Sequence, residues 1–103
     1  MSVENVHQKL QFATKFKDGT YQTQHGTINP QTWEGIEVVR GRQIDCDNVR
    51  IEVILNERQI IASGHYNVRT NWCHIDMANE LFEDMEDVLV KDIEERNLML
   101  IAG

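Results

Sequence analysis

Proline is nearly absent from the 103-residue chain, with Pro30 the only one, and glycine occurs six times. That scarcity excludes a Pro/Gly-rich disordered or collagen-like chain. No apolar run approaches the roughly 18 residues that a membrane-crossing helix needs. The first residues show no basic-then-apolar secretory pattern, so the expected compartment is the cytoplasm. Cysteine is limited to Cys46 and Cys73, 27 residues apart. Two thiols define no disulfide framework, and in a cytoplasmic setting both are expected to be reduced. The chain has no Gly-rich phosphate loop, no Cys-x-x-Cys and no His-Glu-x-x-His. No nucleotide, redox or zinc-protease signature therefore directs the reading.

Basic residues are scarce in one place only. Eight of them (Lys9, Lys15, Lys17, Arg40, Arg42, Arg50, Arg58 and Arg69) balance eight acidic residues over positions 1–75. From Asp76 onward nine acidic residues face only Lys91 and Arg96, which accounts for the whole formal charge of −7. Such asymmetry marks an interaction surface or a strongly solvated face, and it argues against direct contact of that face with nucleic acid or an anionic membrane.

What is present is ordinary globular material: 41% hydrophobic and 26% charged residues, enough for a single domain over 1–103. Positions 1–8 read as a short helical or irregular start, with Val3, Val6, Leu10 and Ala13 at helical spacing. A strand is expected from about Lys9 to Lys17, because Asp18-Gly19 follows as a hairpin turn. Thr20 to Ile28 reads as a second strand, polar on both faces and suited to an edge, ended by Asn29-Pro30. Trp33 to Arg40 is a third. Val49 to Leu55 is the clearest, with Val49, Ile51, Val53 and Leu55 on one side. Asn56-Glu57 turns the chain into Arg58 to Tyr66, and Val68 to Trp72 extends that strand or forms another.

A long amphipathic helix is expected from about Asp76 to Arg96, with Asp76 as N-cap and Asn97 as its stop. Ile75, Ala78, Leu81, Phe82, Met85, Val88, Leu89 and Ile93 fall within an arc of about 140°. Asp76, Glu80, Glu83, Asp87 and Glu94 occupy the opposite side, flanked by Asp84 and Glu95. Asp87–Lys91 and Asp92–Arg96 are acid-before-base pairs at helical spacing. The apolar tail Leu98–Ala102 calls for a short final strand or a place under the helix. The expected fold class is α+β, an antiparallel sheet of about five strands against one C-terminal helix.

Several constellations bear on chemistry. Metal ligation draws on His25, His65, Cys73, His74 and Cys46, but none has the paired spacing that zinc favours, so neither metal nor cofactor is expected. Catalysis draws on Ser63, His65 and Tyr66 and on adjacent Cys73-His74, with no recognisable oxyanion donor or orienting carboxylate. A single-strand stacking face draws on Arg40, Arg42, Arg50, Arg58 and Arg69 with Trp33, Tyr66 and Trp72, against a pI near 4.9.

The acidic helix face is the strongest feature. Its nine carboxylates over about 28 Å give one charge per roughly 3 Å, near the phosphate spacing of one nucleic-acid strand. The expectation is therefore a small acidic accessory protein, of the size and composition common among viral and mobile-element accessory proteins. It binds a basic protein through Asp76, Glu80, Glu83, Asp84, Asp87 and Glu94, as an inhibitor or nucleic-acid mimic. Two other readings stand beside it. One is a self-associating scaffolding subunit that uses Leu98–Ala102 or Thr20–Ile28 to complete a neighbour's sheet. The other is a small enzyme or ligand binder near His65 and Tyr66.

Overall fold

The computed structural model describes residues 13–96 and 101–102. Among them the chain forms β1 (Ala13–Lys15), β2 (Tyr21–Thr23), β3 (Gly26–Ile28), β4 (Ile36–Gln43), β5 (Asn48–Leu55), β6 (Gln59–Asn67), β7 (Trp72–Ala78), α1 (Glu80–Arg96) and β8 (Ile101–Ala102). The first three strands make a small antiparallel sheet in the order β1-β2-β3. The main sheet runs β7-β6-β5-β4-β8; its first four strands are antiparallel, and β8 joins β4 in parallel. This is the α+β architecture that the sequence predicts, with the final strand included.

Alternation in β5 explains why the main sheet has one covered face. Val49, Ile51, Val53 and Leu55 are buried, and they join Val38, Ile61, Ala62 and Tyr66 in the core. Leu81, Phe82, Met85, Leu89 and Ile93 of α1 complete that core, so the helix lies on the same face. Tyr21 and Ile28 carry the small sheet into the cluster. None of the described helices is long and apolar enough to cross a membrane.

Turn chemistry sets the register. Asn56 and Glu57 hold φ of 47° and 61°, and Arg58 N–H donates to the Leu55 carbonyl at 2.9 Å. Two consecutive left-handed residues give the tight reversal whose twist suits a hairpin. Thr20 to Ile28, expected as one strand, folds instead as the β2–β3 hairpin. Gly26 at φ 120° supports the reversal, and Thr23 Oγ1 donates to its carbonyl. Positions 68–71, expected as strand, form a turn in which Asn67 Oδ1 accepts from the Arg69 and Thr70 amides.

The largest departure is the helix start. Asp76 is not its N-cap, and Ile75 and Ala78 are not on its apolar stripe, because all three belong to β7. Asn79 caps α1 instead: its Oδ1 accepts from Phe82 N–H at 3.0 Å. The strand persists to Ala78 because β6 offers a partner along its length, from Asn67↔Trp72 to Ala62↔Ala78. Val88, also assigned to the stripe, is 40% exposed at its margin. The expected strand over Lys9–Lys17 is described only as Ala13–Lys15. Its earlier part, the helical or irregular start, the Asn97 stop and residues 98–100 lie outside the described residues.

Two substitutions probe this framework by urea unfolding. A Cβ at Gly64 would overlap the His74 carbonyl oxygen across the β6–β7 pair, so Gly64→Ala should destabilise by about 2 kcal/mol or more. Glu57 is exposed and left-handed, so Glu57→Gly should stabilise by about 1 kcal/mol. An unchanged midpoint in either variant would contradict the assigned backbone geometry.

Candidate functional site

Burying the apolar stripe turns the other side of α1 outward. Glu80, Glu83, Asp84 and Asp87 are all exposed there, within an arc of about 100°. They stand three and four residues apart, the spacing at which like charges on a helix repel. No ion pair joins any of the four to another described residue. Glu80 and Glu83 lie in the first turn, where the positive end of the helix dipole offsets part of that repulsion.

Asp76 and Glu94 sit elsewhere. From β7, Asp76 points to the uncovered face of the sheet, where its Oδ2 accepts from Arg50 Nη1 at 3.1 Å. His65 Nδ1 and His74 Nε2 lie 3.6 and 3.3 Å from its two oxygens. Glu94 Oε2 accepts the Cys73 backbone N–H at 2.9 Å. Asp92, expected to pair with Arg96, accepts from Trp33 Nε1 at 3.2 Å. Asp76 thus ties β7 to β5, Asp92 ties the helix to the loop before β4, and Glu94 ties it to the sheet edge, uses that only the tertiary structure could disclose.

Two grooves flank the exposed carboxylates. One, of about 430 Å³, runs between α1 and the edge strand β7, from Cys73 and Ile75 to Glu86, Val90 and Glu94. The other, of about 470 Å³, lies between α1 and Gln31 on its far side, with Val88 and Glu95 in its wall. Asp87 and Lys91 border both.

The structure brings Ser63, His65 and His74 to one face of the sheet and leaves Tyr66 and Cys73 on the other. His65 faces the uncovered side of β6, whereas Tyr66 is buried in the core and donates its hydroxyl to Asn71 Oδ1 at 2.6 Å. Ser63 shares the face of His65, but its Oγ accepts from Arg50 Nη2 at 3.3 Å. Cys73 is buried on the helix side while His74 is exposed on the other. Burial above all, then the Glu94 and Glu86 carboxylates, push the Cys73 thiol from its ordinary 9.0 up to about 12. That thiol is no nucleophile near neutral pH.

Among the described residues, no three His, Cys, Asp or Glu side chains converge to hold a metal ion. Trp33 is committed to Asp92, Tyr66 is in the core, and Trp72 is 54% exposed on the uncovered sheet face. The three aromatics therefore share no stacking surface. On that open face Trp72 stacks on His74 at 5.4 Å, with His65 5.1 Å from His74. Of the five arginines, Arg50 and Arg69 are held by Asp76 and Asp47.

Comparison with protein-family models, curated proteins and solved structures yields no match to this chain.

Thiol chemistry tests the burial that fixes the groove. Cys46 is exposed and Cys73 buried, so one thiol should react with iodoacetamide at pH 8 in the native protein and both after unfolding. Because folding raises the Cys73 pKa, its contribution to stability is complete below about pH 9 and lost as pH rises toward about 12. Replacement by Ala should flatten that alkaline decline. Rapid native labelling of Cys73 would refute the packing of α1 on β7.

Proposed function

We propose that this chain is a small accessory protein that binds a basic protein partner through the exposed face of α1. Its contact residues are Glu80, Glu83, Asp84 and Asp87. The observation that carries this reading is that these four carboxylates are exposed together and none makes an ion pair within 4 Å among the described residues, with Lys91, one turn on from Asp87, the one base beside them in α1. A solvated helix ordinarily mixes both signs, whereas Lys91 is the sole base before Arg96 in α1. Unscreened charge of one sign steers a partner of the opposite sign at long range and fixes the orientation of docking.

The spacing specifies the partner further. From Glu80 to Asp87 the helix rises about 10 Å, or one charge per roughly 3 Å. That density approaches the phosphate repeat of a single nucleic-acid strand. A protein whose basic groove binds a phosphate backbone therefore fits best, with α1 as a rigid competitor for that groove. Glu94 ties α1 to β7 through the Cys73 N–H, whereas Asp76 is paired with Arg50 on the far face of the sheet, away from the four exposed carboxylates.

Two other uses of the chain have less support. Ile101–Ala102 pairs with β4 of the same chain, so that part of the apolar tail is satisfied without a neighbour. His65 and Tyr66 point to opposite faces of β6, with Tyr66 buried in the core, so the two side chains do not face one another.

Capture from native cells with wild-type protein and with the Glu80→Lys/Glu83→Lys/Asp87→Lys variant tests the reading. The expected result is a basic partner retained by the first and lost by the second, at unchanged unfolding midpoint. With purified components the affinity should drop about 100-fold on reversal and fall steeply with NaCl. Equal retention of every partner by both proteins would overturn the proposal.

A further inference from the structure

The main sheet ends at β7, with no described strand beyond it. In an antiparallel pair, successive residues turn their N–H and C=O groups alternately toward and away from the partner strand. Cys73 N–H points away from β6, since it reaches Glu94 Oε2 on the helix. The backbone groups of Ile75, two residues on, therefore face the same open edge. A row of such groups is a template for another strand. Glu94 occupies one position of that row as a neighbouring strand's carbonyl would, and leaves the Ile75 position open.

Beside the edge lies the groove of about 430 Å³ between β7 and α1. Its helix wall carries Glu86, Asp87 and Glu94 against one base, Lys91. On the other side of the sheet, Trp72 and His74 stand exposed at alternate positions of the same strand. A strand laid along Trp72–Ile75, before the bulge at Asp76, would alternate between these two environments, one anionic and one aromatic.

We propose that the β7 edge docks an extended basic segment of the partner as an added strand. Lysines or arginines at alternate positions meet Glu86, Asp87 and Glu94, and apolar residues between them lie over Trp72 and His74. Charge complementarity selects this occupant: a neutral or acidic strand would leave the groove's carboxylates without counter-charges. A carbonyl of the incoming strand replaces Glu94 at the Cys73 N–H, and the released carboxylate pairs with a basic side chain. The proposal rests on the acidic-face reading and adds to it the mode of binding.

The test uses the full chain and a fluorescent, end-capped peptide of alternating lysine and valine, seven residues long to match β7. A second peptide carries N-methyl groups on alternate backbone nitrogens, which keeps the charge and blocks strand pairing. The expected results are salt-sensitive binding of the first peptide, affinity at least about tenfold weaker for the second, and slowed hydrogen exchange at the Ile75 amide in the first complex. Glu94→Gln keeps an acceptor for the Cys73 N–H but removes the charge, and should weaken binding several-fold.

Equal binding of both peptides, with Ile75 exchange unchanged and loss on reversing Glu80, Glu83 and Asp87, would overturn edge docking and leave the acidic-face reading standing. Binding of neither peptide overturns edge docking, and the capture experiment then decides the acidic face separately. A dimer of the free protein with the Ile75 amide already protected would overturn the proposal in favour of β7 pairing with a second copy.

Discussion

The seating of Leu81, Phe82, Met85, Leu89 and Ile93 on the inner face of the sheet decides what the rest of the molecule presents. Burying each such side chain contributes about 1.5–3 kcal/mol. The like-charge neighbours on the other side oppose helix formation by about 0.2–0.5 kcal/mol per pair. Burial wins by a wide margin, so the helix holds four carboxylates outward although they repel one another. The acidic face is a consequence of core packing, and its electrostatic cost is borne by the core.

Polar ties then fix how the helix sits. Asn79 caps its start, Trp33 Nε1 holds Asp92, and Cys73 N–H holds Glu94. Each reaches α1 from a different neighbour: its own preceding residue, the loop before β4, and the sheet edge. The carboxylates after position 75 thus divide by environment. Asp76, Asp92 and Glu94 meet donors within the chain, whereas Glu80, Glu83, Asp84 and Asp87 meet solvent. The same division sets the border of the groove along β7, where Glu94 stands between an internal bond and the open edge.

Much of this was legible in the residues because local patterns and tertiary partners agreed. The β5 alternation, the Asn56-Glu57 reversal and the helix stripe from Leu81 to Ile93, Val88 apart, match the structure, and of the two places expected for the apolar tail Ile101–Ala102 takes the strand. The helix start did not, because Ile75 and Ala78 fit a helical period as well as Cys73, Ile75 and their exposed neighbours fit a strand. A partner strand, β6, broke the tie, and no window of sequence contains it. Thr20 to Ile28 read as one strand because its β-formers hid a turn at Gln24 and His25. At the candidate site, charge density picked out Glu80, Glu83, Asp84 and Asp87. The internal duties of Asp76 and Glu94 depend on Arg50 and Cys73, which lie 26 and 21 residues away, so composition could not separate them from the rest.

The exposed carboxylates of α1 have no ion-pair partner among the described residues, and on this account they repel one another in the folded protein. Urea unfolding of the purified chain, followed from about 10 mM to about 300 mM NaCl, measures this without any partner, because screening acts over that range. If the face is unneutralised, salt relieves the repulsion and the unfolding midpoint rises. A midpoint that stays level or falls with salt would mean that cations within the chain already balance those carboxylates, and the claim would fail.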